Sequence, residues 1–184
     1  MKNRVVCLLH PGFEEIEAVT PIDLLSRAGI EVVLASVDDS KMVQGRSGLE
    51  LASNCGLSDV ASQSFDAVFL PGGPGIQKIR KHDVICDLFR RHHQEGKWLA
   101  CICAAPLLLL DAGLRDGLSL ACHPSAEPEL GPVETTPVVV SGQILTSRGA
   151  GTATEFGLEL VRRLADDATA ESIAASICWP HPTR

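Results

Sequence analysis

The stretch Trp98-Leu99-Ala100-Cys101-Ile102-Cys103-Ala104-Ala105-Pro106-Leu107 changes character halfway along. Its first five residues are apolar throughout, the pattern of a strand covered on both faces. Ala104 and Ala105 are small enough for a tight turn. Pro106 suits a first helical turn, where its missing N–H costs little. The run Ala104–Ala112 then reads as a helix stopped by Gly113. Strand, abrupt turn and helix in that order predict one βα step of a parallel sheet.

The same alternation extends outward from it. Arg4–Leu9, Ile30–Ser36, Asp66–Leu70 and Lys97–Ile102 read as strands. Leu118–Cys122, Val138–Val140 and Ile144–Thr146 are expected to add more. Glu14–Ala28 (closed by Gly29), Asp83–Glu95 (stopped by Gly96), Thr152–Leu164 and the stretch to Ile177 read as helices. Residues 40–62 and 123–137 look irregular or hairpin-like. The expected fold is α/β: a doubly wound, mainly parallel sheet with helices on both faces, in a single domain over residues 1–184. Ligands in such sheets collect beyond the carboxyl ends of the strands, so a site is expected at the loops after Leu9, Leu70, Ile102 and Cys122.

Composition narrows the partners. The 184 residues carry a formal net charge of −7, which argues against specific nucleic-acid binding or a polybasic membrane surface. No apolar run approaches the ~18–20 residues of a membrane span. The basic start ends its apolar stretch at Leu9, followed by His10-Pro11-Gly12-Phe13 rather than a cleavage site, which reads as a first strand and a cytoplasmic location. Seven scattered cysteines make a poor disulfide framework, and no His/Cys spacing suggests a metal site. No cofactor is expected.

Cys103 is the candidate nucleophile. At a strand-to-helix turn it would meet free N–H groups and a helix dipole, which favour the thiolate. The loop Pro71-Gly72-Gly73-Pro74-Gly75 could bring backbone amides close to a ligand, as an oxyanion hole requires. Glu17 shares a helix spacing with Phe13, Thr20 and Leu24. If it faces inward, burial would keep it protonated and able to donate to a thiolate; a solvated helix charge is the commoner outcome for a single glutamate, and periodicity does not decide between them. His123, fixed before Pro124, is a candidate general base or proton shuttle. His10, at the end of the first strand, is a second candidate for lining the site. His82, His92, His93 and His181 have polar neighbours and read as solvated.

Taken in order, these motifs resemble the ThiJ/PfpI superfamily, specifically its parkinsonism-associated deglycase-like branch. The resemblance covers nearly the whole chain. It rests on Gly12–Leu24, Arg27-Ala28-Gly29-Ile30, Leu70-Pro71-Gly72-Gly73, Cys101–Pro106, His123-Pro124 and Ile144–Thr152. It implies a flavodoxin-like (class I glutamine amidotransferase-like) fold. It also implies a reactive Cys103, a protonated partner Glu17, a nearby His123, and an anion hole from the amides of Gly73 and Ala104, with Gly72 in support. Homodimers are implied, with Glu14–Ala28 as the dimer helix, Arg27 reaching the neighbouring subunit's site and Arg46 as a further anion-site arginine. Ala104 stands where the peptidase branch has a histidine, which lowers the peptidase reading. Ala105 replaces the glycine common after the cysteine.

Two functions follow. The first is a cofactor-independent glyoxalase or deglycase acting on methylglyoxal, glyoxal or early glycation adducts. The alternative is a redox sensor or stress-linked chaperone that uses oxidation of Cys103. Cys101 and Cys122 are expected to pack, or else to trap an oxidised Cys103 as a disulfide.

Overall fold

The computed structural model describes residues 3–180. Seven strands form the main sheet, in the order β5-β2-β1-β6-β7-β9-β8. They are β1 (Arg4–Leu9), β2 (Glu31–Ser36), β5 (Cys55–Gly56), β6 (Ala67–Leu70), β7 (Trp98–Ile102), β8 (Val138–Ser141) and β9 (Ile144–Ser147). Only β8 runs antiparallel, paired to β9 by a hairpin; the other pairings are parallel. The remaining strands β3 (Met42–Gln44) and β4 (Glu50–Ala52) make a small separate hairpin. This architecture is the doubly wound α/β fold expected above.

Alternation along the strands divides the core. Val6 and Leu8 of β1 join one cluster with α2 (Leu57–Val60), α3 (Asp83–Gln94), α4 (Leu107–Asp111) and α5 (Glu127–Leu130). Val5, Cys7 and Leu9 join the other, with α1 (Glu15–Arg27), α6 (Ala153–Leu164) and α7 (Asp167–Ser176). Within the second layer, Gly157 of α6 lets α1 come close. A Cβ there would stand 2.6 Å from Leu24 Cδ1 and 3.1 Å from Pro21 Cα, so the helix accepts a glycine that costs about 1 kcal/mol in propensity.

Three local expectations are corrected. Leu118–Cys122 is not a strand. The place beside β7 is taken by β9, with Leu99 opposite Ile144, and the segment is held instead by Ala121 N–H donating to Thr146 Oγ1 at 2.9 Å. The helix after Cys103 is five residues long and begins at Leu107, not Ala104, because residues 103–106 are spent on turns. His92 is fully buried rather than solvated. It faces the core side of α3, donates from Nδ1 to Leu88 O at 2.9 Å and accepts the Phe65 N–H on Nε2 at 3.1 Å. His181 lies outside the described residues.

Candidate active site

The site forms where the loops after β1, β6 and β7 meet. Cys103 follows β7 with φ of 68°, a left-handed conformation that costs a non-glycine residue free energy and turns the side chain out of the sheet. Its N–H donates to Ser147 O at 2.9 Å, and its carbonyl accepts the His123 N–H at 2.9 Å. The N–H groups of Gly73 and Ala104 both reach its sulfur. Gly73 has φ of 108°, and a Cβ there would lie 2.5 Å from Gly12 O. Only glycine fits where this backbone approaches the thiol.

Glu17 faces inward and is 2% exposed. Glu14 sets this direction by capping α1: its carboxylate accepts the Glu17 N–H at 2.8 Å. The Glu17 Oε2 atom accepts the Gly72 N–H at 3.0 Å, and the carboxyl also meets the Ala150 N–H and the Cys103 thiol. Burial pushes this carboxyl up to about 7, against the lowering effect of Cys103 and with help from the Glu14 charge.

The thiol itself corrects an expectation. Burial, then the charge and hydrogen bond of Glu17, push Cys103 up to about 12, and the Gly73 and Ala104 amides only partly offset them. The expected helix dipole is weak here, since α4 is short and starts four residues on. Burial thus holds both the carboxyl and the thiol above their ordinary values, and the two share one hydrogen-bonded contact.

His123 comes to the same cleft. The cleft, of about 340 Å³, is lined by Glu14, Glu17, Arg46, Gly73, Pro74, Gln77, Cys103, Ala104, His123, Ser125 and Ala150. A point at the absent Cβ of Gly149 lies 3.6 Å from Glu17 Oε1 and 3.7 Å from His123 Cδ2, so these two side chains flank one short backbone segment. Arg46, an exposed side chain, is among the residues that line it.

Two candidates are not in the cleft. His10 is wholly buried behind it, its Nε2 3.1 Å from Pro71 O and its Nδ1 3.4 Å from Pro11 O. It braces the glycine loop from below, and burial lowers its pKa so that it stays neutral. Arg27 sits at the far end of α1, paired with Asp23 at 2.7 Å, and does not line the cleft of its own chain. Glu14, Gln77 and Ser125 were missed. Ser125 carried a signal, two residues beyond His123 across a proline.

All seven cysteines are free. Cys101 and Cys122 are buried in the core layer opposite the one Cys103 packs on, which supports packing roles. Among the described residues, no group of three or more His, Cys, Asp or Glu side chains could hold a metal ion. No helix among them is long and apolar enough to cross a membrane.

Comparison with known proteins identifies the family. Residues 3–163 match the DJ-1/PfpI family. Protein dj-1beta of Drosophila melanogaster is 35% identical over 96% of this chain and 97% of its own length. The crystal structure of Drosophila DJ-1beta superposes with a TM-score of 0.94, at 34% identity over 98% of this chain and 100% of that one. The glutathione-independent glyoxalase DJR-1.2 of Caenorhabditis elegans is 30% identical over 96% of each chain.

Proposed function

Because the chain belongs to the DJ-1/PfpI family, we propose that it is a cysteine-dependent, glutathione-independent glyoxalase. It converts methylglyoxal or glyoxal to the corresponding 2-hydroxy acid, and the same groups serve early glycation adducts. The observation that carries this reading is Glu17, buried against Cys103 and raised to about 7. At neutral pH such a carboxyl is divided between its two forms and exchanges protons readily in both directions.

The chemistry balances on these groups. Glu17 takes the Cys103 thiol proton as sulfur attacks the aldehyde carbon. The carbonyl electron pair moves to oxygen, steadied by the Gly73 and Ala104 amides, and that oxygen takes the proton from Glu17 to give a hemithioacetal. Glu17 then moves the proton from the sulfur-bearing carbon to its neighbour. The hydroxyl proton crosses to the second oxygen with help from His123, leaving a thioester. Water hydrolyses it, releasing the hydroxy acid and the thiol.

Arg46, which lines the cleft, suits the anionic product. The named activity of the Caenorhabditis elegans relative supports the substrate class. A homodimer belongs to this reading. Ile16 and Val19 of α1 and Leu49 beside β4 are exposed apolar side chains on adjoining elements, since Ser47 N–H donates to Glu15 at 2.7 Å.

A redox-sensing role stands second. A solved structure of Toxoplasma gondii DJ-1, 34% identical over 97% of this chain and 100% of that one, with a TM-score of 0.92, is described as oxidized. The test is lactate production from methylglyoxal by glutathione-free protein beside Cys103→Ala, Glu17→Gln and His123→Ala. Turnover lost in the first two and reduced in the third supports the enzyme. No turnover above a buffer blank rejects it in favour of the sensor.

A further inference from the structure

We infer that Ser125 is a positioning residue of this site, which holds the proton of the neutral His123 ring on Nε2 and so presents a hydrogen-bond donor toward the cleft. The chemical consequence rests on the proposed glyoxalase reading; the geometry does not. His123 Nδ1 accepts the Ser125 N–H at 3.2 Å and lies 2.9 Å from Ser125 Oγ. A backbone N–H can only donate, so Nδ1 must offer its lone pair, and a neutral imidazole then carries its proton on the other nitrogen.

Local structure makes this arrangement reproducible. His123 is extended, with φ of −68° and ψ of 143°, and caps the turn Pro124–Ala126 with its own ring. Pro124 fixes the intervening backbone, and the Ala126 N–H returns to His123 O at 2.9 Å. Ser125 is thereby folded back onto Nδ1. The Cδ2 carbon, next to Nε2 in the ring, lies on the Gly149 and Glu17 side. Glu17 and His123 thus divide the work: the carboxylate takes protons, and the Nε2–H steadies whichever substrate oxygen bears charge.

The hydroxyl adds what the backbone alone cannot. Should His123 become an imidazolium, its Nδ1–H needs an acceptor. The Ser125 N–H cannot serve, but Oγ can, by rotating its own hydrogen away. Ser125 therefore orients the ring in both protonation states, in the place where an acidic residue would otherwise orient a catalytic histidine.

The experiment is nitrogen-15 NMR of the His123 ring in the full chain, as wild type, Ser125→Ala and Ser125→Thr, with steady-state kinetics on methylglyoxal. The wild type should show an unprotonated Nδ1 and a protonated Nε2. Ser125→Ala keeps the backbone donor, so the ring should stay protonated on Nε2, while loss of Oγ lowers kcat roughly five- to tenfold with little change in KM. Ser125→Thr should restore kcat. A wild-type ring protonated on Nδ1, or a kcat unmoved in Ser125→Ala, overturns the inference. If the protein proves inactive on methylglyoxal, the ring signals still decide the tautomer, so the two failures are distinguishable.

Discussion

The backbone N–H of His123 donates to the carbonyl of Cys103 at 2.9 Å. This bond ties the loop after Cys122 directly to the nucleophile, although neither segment belongs to a shared sheet ladder. With the Cys103 N–H held by Ser147 O at 2.9 Å, both backbone polar groups of the strained residue are engaged. The elbow is clamped on either side, and a φ of 68° is maintained against its cost.

That strain has a measurable consequence. A β-carbon at position 103 is what makes the left-handed conformation unfavourable. Cys103→Gly should therefore be more stable than Cys103→Ala by about 1 kcal/mol, even though both lack the sulfur. Equilibrium denaturation of the two variants checks it. Equal stabilities would mean that residue 103 stores no backbone strain.

The pH–rate profile follows from Glu17. Since its carboxylate must accept the thiol proton, kcat/KM should climb through an apparent pKa near 7, the value burial sets, and then level off. A rate that falls through this region as pH rises would assign Glu17 the opposite role, as an acid. Glu17→Gln should lose the rising limb together with at least 100-fold of the rate, on the order of a general base's contribution.

The same carboxyl enters stability with a definite sign. Its folded-state value lies above the ordinary 4.5, so the folded protein binds more protons between that value and about 7. Its contribution to stability is therefore present at low pH and lost as pH rises through this window. Glu17→Gln should be more stable than wild type at pH 8, by about 1–3 kcal/mol, with the gap closing toward pH 4. Denaturation at both pH values measures it. A constant gap would place the effect in packing instead of ionisation.

Gly72 is constrained by contact alone. A Cβ there would lie 2.6 Å from Cys103 Cβ, 2.6 Å from Glu17 Oε2 and 2.8 Å from Ile102 O. Gly72→Ala should separate the carboxyl from the thiol. It should abolish turnover and cost about 2 kcal/mol or more of stability, as overpacking does. Wild-type kinetics in this variant would show that the Glu17–Cys103 contact is dispensable.

Much of this site was legible because local chemistry and tertiary position coincide. Strand, small turn and Pro106 mark the elbow at Cys103. Consecutive glycines mark a backbone that must approach another group, and Gly72 and Gly73 both do so. Glu17 was ambiguous, because α1 is apolar on several sides and its direction is set by the Glu14 cap and the Gly72 N–H. The thiol's pKa was misread for a different reason: dipole arguments are local, whereas desolvation depends on everything packed around the sulfur. Leu118–Cys122 failed similarly. An apolar extended run qualifies for a strand, and only the competing β9 excludes it. His10 and Arg27 illustrate a third limit, since membership of a motif does not say on which side of a loop, or at which end of a helix, a side chain will stand.

His92 lies away from the cleft and offers a separate check on the core. Its Nε2 accepts the Phe65 N–H, so the ring must be neutral there, and burial lowers its pKa below the ordinary 6.5. The unfolded chain then binds more protons than the folded one as pH falls below that value. Stability should decline on acidification by up to about 1.4 kcal/mol per pH unit from this residue until its folded-state pKa is reached. His10, also buried with a lowered pKa, adds a term of the same sign, so wild type alone cannot isolate either. His92→Gln keeps a hydrogen-bonding side chain without a titrating ring. Denaturation of this variant and wild type between pH 7.5 and 5 should give a shallower pH dependence in the variant. Identical slopes would mean that His92 titrates alike in the folded and unfolded chain, and that the Phe65 N–H has another acceptor.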